Sequence, residues 1–541
     1  MDTKDIFDLV VQLKALNQIG IALSTEKNST RLLERILEEA MRITSADGGI
    51  LYTRTENKNL KFEIIIIETL GLYCGGTNGE TITCTPLPLY LSEGTPNLHS
   101  VAVRAVLTET TINITDVDKA EFDFSELYQF DRSGSYSFKS FLTVPMRDHE
   151  DQVIGVLELI NALDADTGET GIFRSFEQEL VESLASQAAI ALTNQRLLEE
   201  QRRLFEAFIE LIARAIDDKS PYTAGHCQRV PVLALMLADA ASQTIVGPLQ
   251  SFVMTEEDRY ELMIAGLLHD CGKITTPEYM IDKSKKLETI FDRIHLVNTR
   301  FEVLKRDAEI RLLREQLALQ SIDLTQLEQQ LQQETAQIDQ HLNFLYQCNQ
   351  GSEYMSEFEK QRVKQIAATY TWQSPEGQRE ACLSANEIDN LCITKGTLTN
   401  EERNTINYHI TSTINMLETL PYPKHLCHVP EYAGAHHEHI NGTGYPKGLT
   451  REQMSIPARI MAIADIFEAL TANDRPYKKP MPLSQALTIL GKMKQEQHID
   501  PDLFDIFIHE KVYLRYAKKY LAAEQIDSFD ITKIPGYQAL N

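Results

Sequence analysis

Apolar residues in the first third of the chain recur with two different periods. Leu9, Leu13 and Leu16, and then Leu32, Leu33, Ile36, Leu37, Ala40 and Ile43, return every three or four positions, the spacing of one helix face. Gly49 to Tyr52, Phe62 to Ile67, Phe141 to Met146 and Val153 to Leu159 are instead short, continuous apolar runs rich in β-branched residues, which predict strands. Helices flanking a sheet are expected, so residues 1–172 read as an α/β (α+β) domain. From Phe173 to Ile216 the pattern changes to one long helix. Leu180, Leu184, Ala188, Ala191, Leu198, Phe205, Phe208 and Ile212 lie near a common seam with charged residues between them. Asp217-Asp218-Lys219-Ser220-Pro221 ends it, because proline cannot donate in the helical ladder and biases its predecessor out of the helix.

Residues 217–541 carry helical periodicity almost throughout and predict an all-α domain. Thr223 is a candidate cap for a helix on which His226, Val230, Leu233 and Leu237 share a face, with a kink expected at Pro231. Leu262, Ala265, Gly266, Leu268 and His269 form an apolar stripe that runs into His269-Asp270-Cys271-Gly272-Lys273 and stops near Thr275-Thr276-Pro277. Thr399 and Glu402 have capping-box spacing before a stripe of Ile406, His409, Ile410, Thr413 and Leu417. Pro457 opens a further helix that sets Asp465 and Glu468 one turn apart. Between about 285 and 399, Ile310, Leu313, Leu317, Leu324, Leu327, Leu331, Ile338 and Leu345 keep a heptad register, with a helix-start signal at Ser321 to Thr325. This predicts a helical hairpin or coiled coil inserted into the domain.

Composition narrows the function. With 52 basic against 78 acidic residues the formal charge is −26, which argues against general binding to nucleic acid or to a membrane surface. The most apolar run, Ile64 to Ile67, is far too short to cross a bilayer, and Met1 to Asp5 does not begin a signal peptide. The 8 cysteines form no CxxC pair and fit reduced intracellular thiols, so a cytoplasmic protein is expected. Cys227 and Cys271 each follow a candidate ligand, His226 and Asp270, but point about 100° away on a helix, which suits packing.

The chemistry concentrates in two stretches. His436-His437-Glu438-His439 is followed at once by the turn residues Asn441-Gly442-Thr443-Gly444, so metal-ligand types sit where a helix gives way to a loop. His269-Asp270 lies at the end of an apolar helix, where an ionised aspartate needs a compensating charge. Alone, His226 or His409 on an apolar face would be an ordinary hydrogen-bonded core histidine, and adjacent histidines an exposed cluster. Several helices that each bring an inward histidine or aspartate to one domain are explained together by a shared metal cluster.

Two family resemblances follow. Phe141 to Met146, Gly155 to Ala162, Phe173 and Phe176-Glu177 resemble a GAF domain over residues 1 to about 195. That resemblance implies either a sensor for a small molecule or cyclic nucleotide, or an empty dimerising module. Asn161 to Glu177 partly echoes the signature of cyclic-nucleotide GAF domains, but Ala162 stands for its lysine and Phe176 for its aspartate. From about Ser220 to Phe507 the chain resembles an HD-GYP domain, the cyclic di-GMP phosphodiesterase branch of the HD superfamily. The motifs are Tyr222-Thr223-Ala-Gly-His226-Cys-Gln-Arg229, His269-Asp270-Cys-Gly272-Lys273, His436-His437-Glu438 with Gly442-Thr-Gly444-Tyr445-Pro446, and Ala464-Asp465 followed by Arg475-Pro476-Tyr477-Lys478.

This second resemblance implies metal ligands at His226, His269, Asp270, His409, His436, His437 and Asp465, holding two divalent ions, iron or manganese. It implies that Lys273 faces the scissile phosphate and that Arg475 and Lys478 hold phosphates. The expected activity is metal-dependent hydrolysis of cyclic di-GMP to linear pGpG or onward to GMP, under control of the N-terminal domain. The alternatives are a non-catalytic cyclic di-GMP receptor and an HD phosphohydrolase for another nucleotide. A GGDEF-domain protein is an expected partner through the GYP loop, and a homodimer is expected from the helical seams. Asn441 and Glu468 each replace an aspartate of the family pattern, and Tyr222 stands where members with a third metal carry glutamate. His295, in a segment that imitates the surroundings of His409, is the alternative ligand to it.

Overall fold

The computed structural model describes residues 18–538 apart from 24, 27, 78, 125–135, 165–166, 220–224, 319–323, 352–353, 375 and 473–479. The stripe of Leu9, Leu13 and Leu16, the cap at Thr223, and Tyr222, Arg475 and Lys478 lie outside the described residues. The chain divides into two compact units between Phe205 and Glu206. No described helix is long and apolar enough to cross a membrane.

The first unit is an antiparallel sheet with helices on its faces. Helix α1 (Ser29–Thr44) is capped by Asn28, whose side chain accepts from the Arg31 backbone N–H at 3.0 Å. It is followed by strands β1 (Ala46–Arg54), β2 (Asn59–Ile67), β3 (Leu72–Gly75) and β4 (Leu87–Pro88), helix α2 (Val101–Thr108), and strands β5 (Ile112–Ile114), β6 (Phe141–Arg147) and β7 (Val153–Ala162). The strand order is β3-β2-β1-β7-β6-β5, with β4 paired to β2. Both faces are covered, which is why Ile64 to Ile67 form an unbroken apolar run. Ile64 and Ile66 join Leu32, Ile36 and Leu37 of α1 on one face, while Ile65 and Ile67 join Val101 and Val103 of α2 on the other.

Helix α3 (Ser175–Asp217) spends its first turns on this sheet, burying Val181, Leu184, Ala185 and Ala188. Further along, its apolar positions are exposed. Ile190, Leu197, Leu204 and Leu211 fall seven residues apart, with Leu198, Phe208 and Ile212 beside them. The single seam expected from the sequence is therefore two surfaces, one closed by the sheet and one open.

The second unit is mostly helical. Helix α4 (His226–Ser242) packs against α5 (Glu256–Leu268), which a capping box of Thr255 and Asp258 opens and a 3₁₀ turn at Cys271–Thr275 follows. The inserted segment holds α6 (Ile294–Ala318), α7 (Leu324–Asn349), α8 (Glu357–Thr369), the hairpin β8 (Thr371–Gln373) and β9 (Arg379–Ala381), and α9 (Ala385–Leu391). A helical hairpin of α6 and α7 is present as expected, with Leu327, Ile338 and Leu345 of α7 buried, but the register of α6 differs. Leu304, Ala308 and Leu312 are the buried stripe of α6, whereas Ile310, Leu313 and Leu317 are exposed. The reason lies in the elements that periodicity did not foresee: α8 and α9 build a core with the base of the hairpin through Val297, Phe301, Leu342, Leu345, Val363 and Leu391.

The chain then returns to the helical domain through α10 (Asn400–Glu418), opened by the Thr399–Glu402 capping box, and the short α11 (Val429–Gly434). Next come α12 (Ile456–Thr471), with Pro457 in its first turn, α13 (Leu483–Gln495), α14 (Pro501–His509) and α15 (Val512–Tyr520). Helices α5, α12, α14 and α15 all pack on α4, which places His226 centrally.

Candidate metal centre

Five local structures deliver the ligand-type side chains. His226 opens α4, His269 and Asp270 follow α5, His409 lies on the inner face of α10, His436 and His437 follow α11, and Asp465 lies on α12. All are buried except His437, which is partly so. The geometry brings them together. His226 Nε2 lies 3.1 Å from Asp465 Oδ1, His269 Nε2 lies 3.3 Å from Asp270 Oδ2, and His409 Nε2 lies 3.3 Å from Asp270 Oδ1. His295 does not join them. It sits exposed at the start of α6 in the insertion.

The histidines share one hydrogen-bonding device. His269 Nδ1 donates to the Gly266 carbonyl at 2.7 Å and His436 Nδ1 to the Ala433 carbonyl at 2.6 Å. His409 Nδ1 pairs in the same way with the Ile406 carbonyl. Each donation is to the carbonyl three residues back. It fixes the tautomer and leaves Nε2 as a lone pair directed inward. His409 Nε2, His436 Nε2 and Asp270 Oδ1 are buried with no hydrogen-bond partner. Burial without a partner is costly for such atoms, and a cation removes the cost.

His226 uses a carboxylate in place of the carbonyl. Its Nδ1 pairs with Glu468 Oε2, and Glu468 Oε1 accepts from Arg229 Nε at 2.6 Å. Glu468, 1% exposed, thus orients His226 from behind and has its own charge answered by Arg229. Sequence reading leaves its role open, although an Arg and a Glu on two buried helix faces are a signal that the two pair.

Six of the seven ligand-type residues fall into two triads, His226 with His269 and Asp270, and His409 with His436 and His437, while Asp465 faces His226 and His269 at 3.1 and 3.6 Å. Asp270 stands between the triads. Its Oδ2 faces His226 and His269 at 3.5 and 3.3 Å, and its Oδ1 faces His409. Burial opposes ionisation of Asp270, but the Lys273 ammonium beside it more than offsets this and holds the carboxyl well below the usual range. Burial pushes His437 down to about 4 and His436 well below the ordinary histidine value, so both are neutral, as ligands must be. Despite burial, the carboxylates facing His226 and His269 push both of these up, so a cation bound there would take the place of protons. Imidazole and carboxylate donors of this kind suit first-row divalent cations. Bound there, such ions supply Lewis acidity and lower the pKa of water.

The remaining motif residues build the walls. Lys273, held on the 3₁₀ turn, pairs with Asp270 and stays protonated because Asp270 outweighs the effect of burial. Gly272 is required by space, since a Cβ there would lie 2.0 Å from the His409 carbonyl oxygen. Glu438 does not face the cluster. It accepts the backbone N–H groups of Lys447 and Leu449 at 2.7 and 2.9 Å and so folds the loop over the site. Tyr445 of that loop stacks on His437 with ring centroids 5.0 Å apart. Asn441 anchors the loop by donating Nδ2–H to the Glu496 carbonyl at 3.1 Å, a donation that an aspartate could not make.

The chain just beyond α3 is tied to both sides of the cluster. Asp217, its last residue, accepts the Cys227 backbone N–H at 3.2 Å, next to His226. Lys219 Nζ donates to the Lys273 carbonyl at 2.9 Å and also to that of Ile274. Cys227 and Cys271 are buried packing residues. Asn161, which begins the imperfect nucleotide signature, is also buried. Its side chain accepts from the Lys139 and Ser140 backbone N–H groups at 2.8 and 3.3 Å.

Comparison with known proteins agrees with this architecture. The GAF domain family model matches residues 28–192, and HD domain family models match residues 223–339 and 355–503. Both HD matches fall in the second unit, and each contributes ligands to the one cluster. The 3'3'-cGAMP-specific phosphodiesterase 3 of Vibrio cholerae serotype O1 is 39% identical over 120 residues, 22% of this chain and 25% of that protein. A cyclic di-GMP phosphodiesterase of Pseudomonas aeruginosa is 44% identical over 73 residues, 14% of this chain and 17% of that protein. A cyclic di-GMP phosphodiesterase of Thermotoga maritima is 32% identical over 133 residues, 23% of this chain and 36% of that protein. The matches thus span between 17% and 36% of the length of these relatives. The chain joins a GAF domain to a helical HD domain with candidate metal-binding clusters.

Proposed function

We propose that the HD domain is a metal-dependent phosphodiesterase that hydrolyses cyclic di-GMP, with His226, His269, Asp270, His409, His436, His437 and Asp465 as ligands. The observation that carries this reading is the set of inward lone pairs left by backbone donation at Nδ1, gathered around a carboxylate with one oxygen toward each triad. The relatives' activities on cyclic dinucleotides support the substrate class. Lys273 adds a fixed positive charge where a phosphate would build up negative charge, and Arg475 and Lys478 are assigned to hold phosphates. A 3'3'-cGAMP substrate is the second reading, favoured by the Vibrio relative.

Two ions, iron or manganese, fit two triads. The phenol of Tyr222, with an ordinary pKa near ~10, is a poor third-site ligand. Hydrolysis should therefore stop mainly at pGpG. The GAF domain acts as regulator, with a small molecule or cyclic nucleotide as its ligand; a homodimer forms through α3, and a GGDEF-domain protein docks on the loop Gly442 to Pro446.

The test is metal content and turnover on one anaerobically purified sample, with cyclic di-GMP, 3'3'-cGAMP and linear dinucleotides as substrates. His269→Ala and Asp270→Ala should each lose metal and hydrolysis while keeping the helical circular dichroism of the parent. Undiminished turnover in both variants would refute the ligand assignment, and rapid quantitative conversion to GMP would refute the product assignment.

A further inference from the structure

Three more ligand-type side chains meet where the middle of α5 packs against the start of α11, and none belongs to the metal centre described above. Glu261 of α5 is 3% exposed, and its Oε1 accepts the His428 backbone N–H. Its other oxygen, Oε2, lies 3.1 Å from His428 Nδ1. Cys427 Sγ lies 3.6 Å from that same nitrogen, and the carboxylate, thiol and imidazole atoms are all within 4.8 Å of one another. The His428 ring stacks on Tyr432 at 5.8 Å and 14°, which restrains it.

The 3.6 Å between Cys427 and His428 is the spacing of a small tetrahedral cation's ligands, and the 3.1 Å between His428 and Glu261 is only slightly shorter. Ligand bonds of about 2.0–2.3 Å at tetrahedral angles set neighbouring ligand atoms roughly 3.3–3.8 Å apart. The carboxylate is already turned toward the ring by the backbone N–H it caps, so little reorganisation is needed. Cys427 and His428 are exposed, which leaves an entry path and room for a solvent ligand to complete a tetrahedral shell.

We propose that Glu261, Cys427 and His428 form a second, softer cation site that takes a thiophilic divalent ion such as Zn²⁺. Binding replaces the thiol proton, Cys427–SH plus M²⁺ giving Cys427–S–M⁺ plus H⁺, with no change of oxidation state. The catalytic ligand set contains only nitrogen and oxygen, so the thiolate distinguishes the two sites. The location matters because α5 ends at His269-Asp270 and α11 ends just before His436-His437. An ion here ties together the two helices that deliver four of the catalytic ligands.

Co²⁺ is the probe, titrated into the full-length protein with its catalytic centre already loaded. A thiolate-to-cobalt charge-transfer band in the near ultraviolet is expected in the parent protein and is absent in Cys427→Ser, a change at an exposed side chain. In Glu261→Gln the affinity read from that band should fall more than about tenfold, the lower bound for losing even an outer-shell partner. Zn²⁺ should raise the Tm of the parent and not that of Cys427→Ser. Absence of the band in the parent, its survival in Cys427→Ser, or an unchanged affinity in Glu261→Gln would overturn the assignment.

Discussion

Glu468 shows how one carboxylate can matter without touching a cation. It fixes the tautomer of His226 and is itself held by Arg229. Glu468→Gln should lower metal affinity and turnover by roughly 10- to 100-fold while leaving the fold intact, as expected when an outer partner of a metal ligand is lost. Measured metal occupancy separates this from a direct loss of chemistry. Gly272→Ala makes a different point, because its Cβ would press on the His409 carbonyl at 2.0 Å and the Thr413 nitrogen at 2.6 Å. Destabilisation on the order of 1–3 kcal/mol is expected in thermal unfolding, together with loss of metal. At this scale much is readable in advance. His269-Asp270 and His436-His437 stand out because charged or ligand-type residues on apolar helix ends need a partner. What does not follow from the sequence is the direction of a side chain at a turn. Glu438 sits beside His437 in the chain yet faces away to hold the loop, and Cys427-His428 acquires meaning only when Glu261 is brought beside it.

The helices themselves are legible where caps and stripes agree. The Thr399–Glu402 capping box opens α10 as the spacing indicates, and the apolar stripe below it carries His409 inward. The insertion is less legible, because a heptad written along α6 and α7 competes with packing against elements that have weak signals of their own. Short β8 and α9 have too few residues for a period to be seen, yet through Trp372 and Leu391 they contribute to a core that takes in Leu304 of α6. The anchor of that core is Lys286, 1% exposed, whose ammonium donates to the Leu391 and Ile393 carbonyls at 3.2 and 2.8 Å. Lys286→Met leaves both carbonyls without that donor. A stability loss of about 1–3 kcal/mol is expected for each acceptor left unsatisfied. Hydrogen exchange should show faster opening across residues 286–391, with α4 and α12 unchanged. Uniform loss of protection across the whole HD domain would show that the insertion has no independent cooperativity.

For the molecule as a whole, the exposed run of Ile190, Leu197, Leu204 and Leu211 on α3 is an unmet apolar demand. A parallel partner helix would satisfy it, and on the proposed homodimer a dimer is expected by light scattering at concentrations above about micromolar. Leu197→Glu with Leu204→Glu should give a monomer that retains the fold of each domain. If the GAF domain regulates the centre as proposed, this helix is the crank. Its last residue, Asp217, holds the backbone beside His226, and Lys219 grips the turn that bears Lys273, so both sides of the reaction centre are fastened to one shaft. A shaft transmits angle as well as displacement. Each residue added to an α-helix advances its phase by about 100° and its length by 1.5 Å, whereas seven residues return the phase to within roughly 20°. Inserting one residue after Gln201 should therefore alter turnover more than inserting seven, although the seven-residue insertion lengthens the shaft more. Equal effects of the two insertions would mean that the centre does not register the angular position of the helix that leads into it.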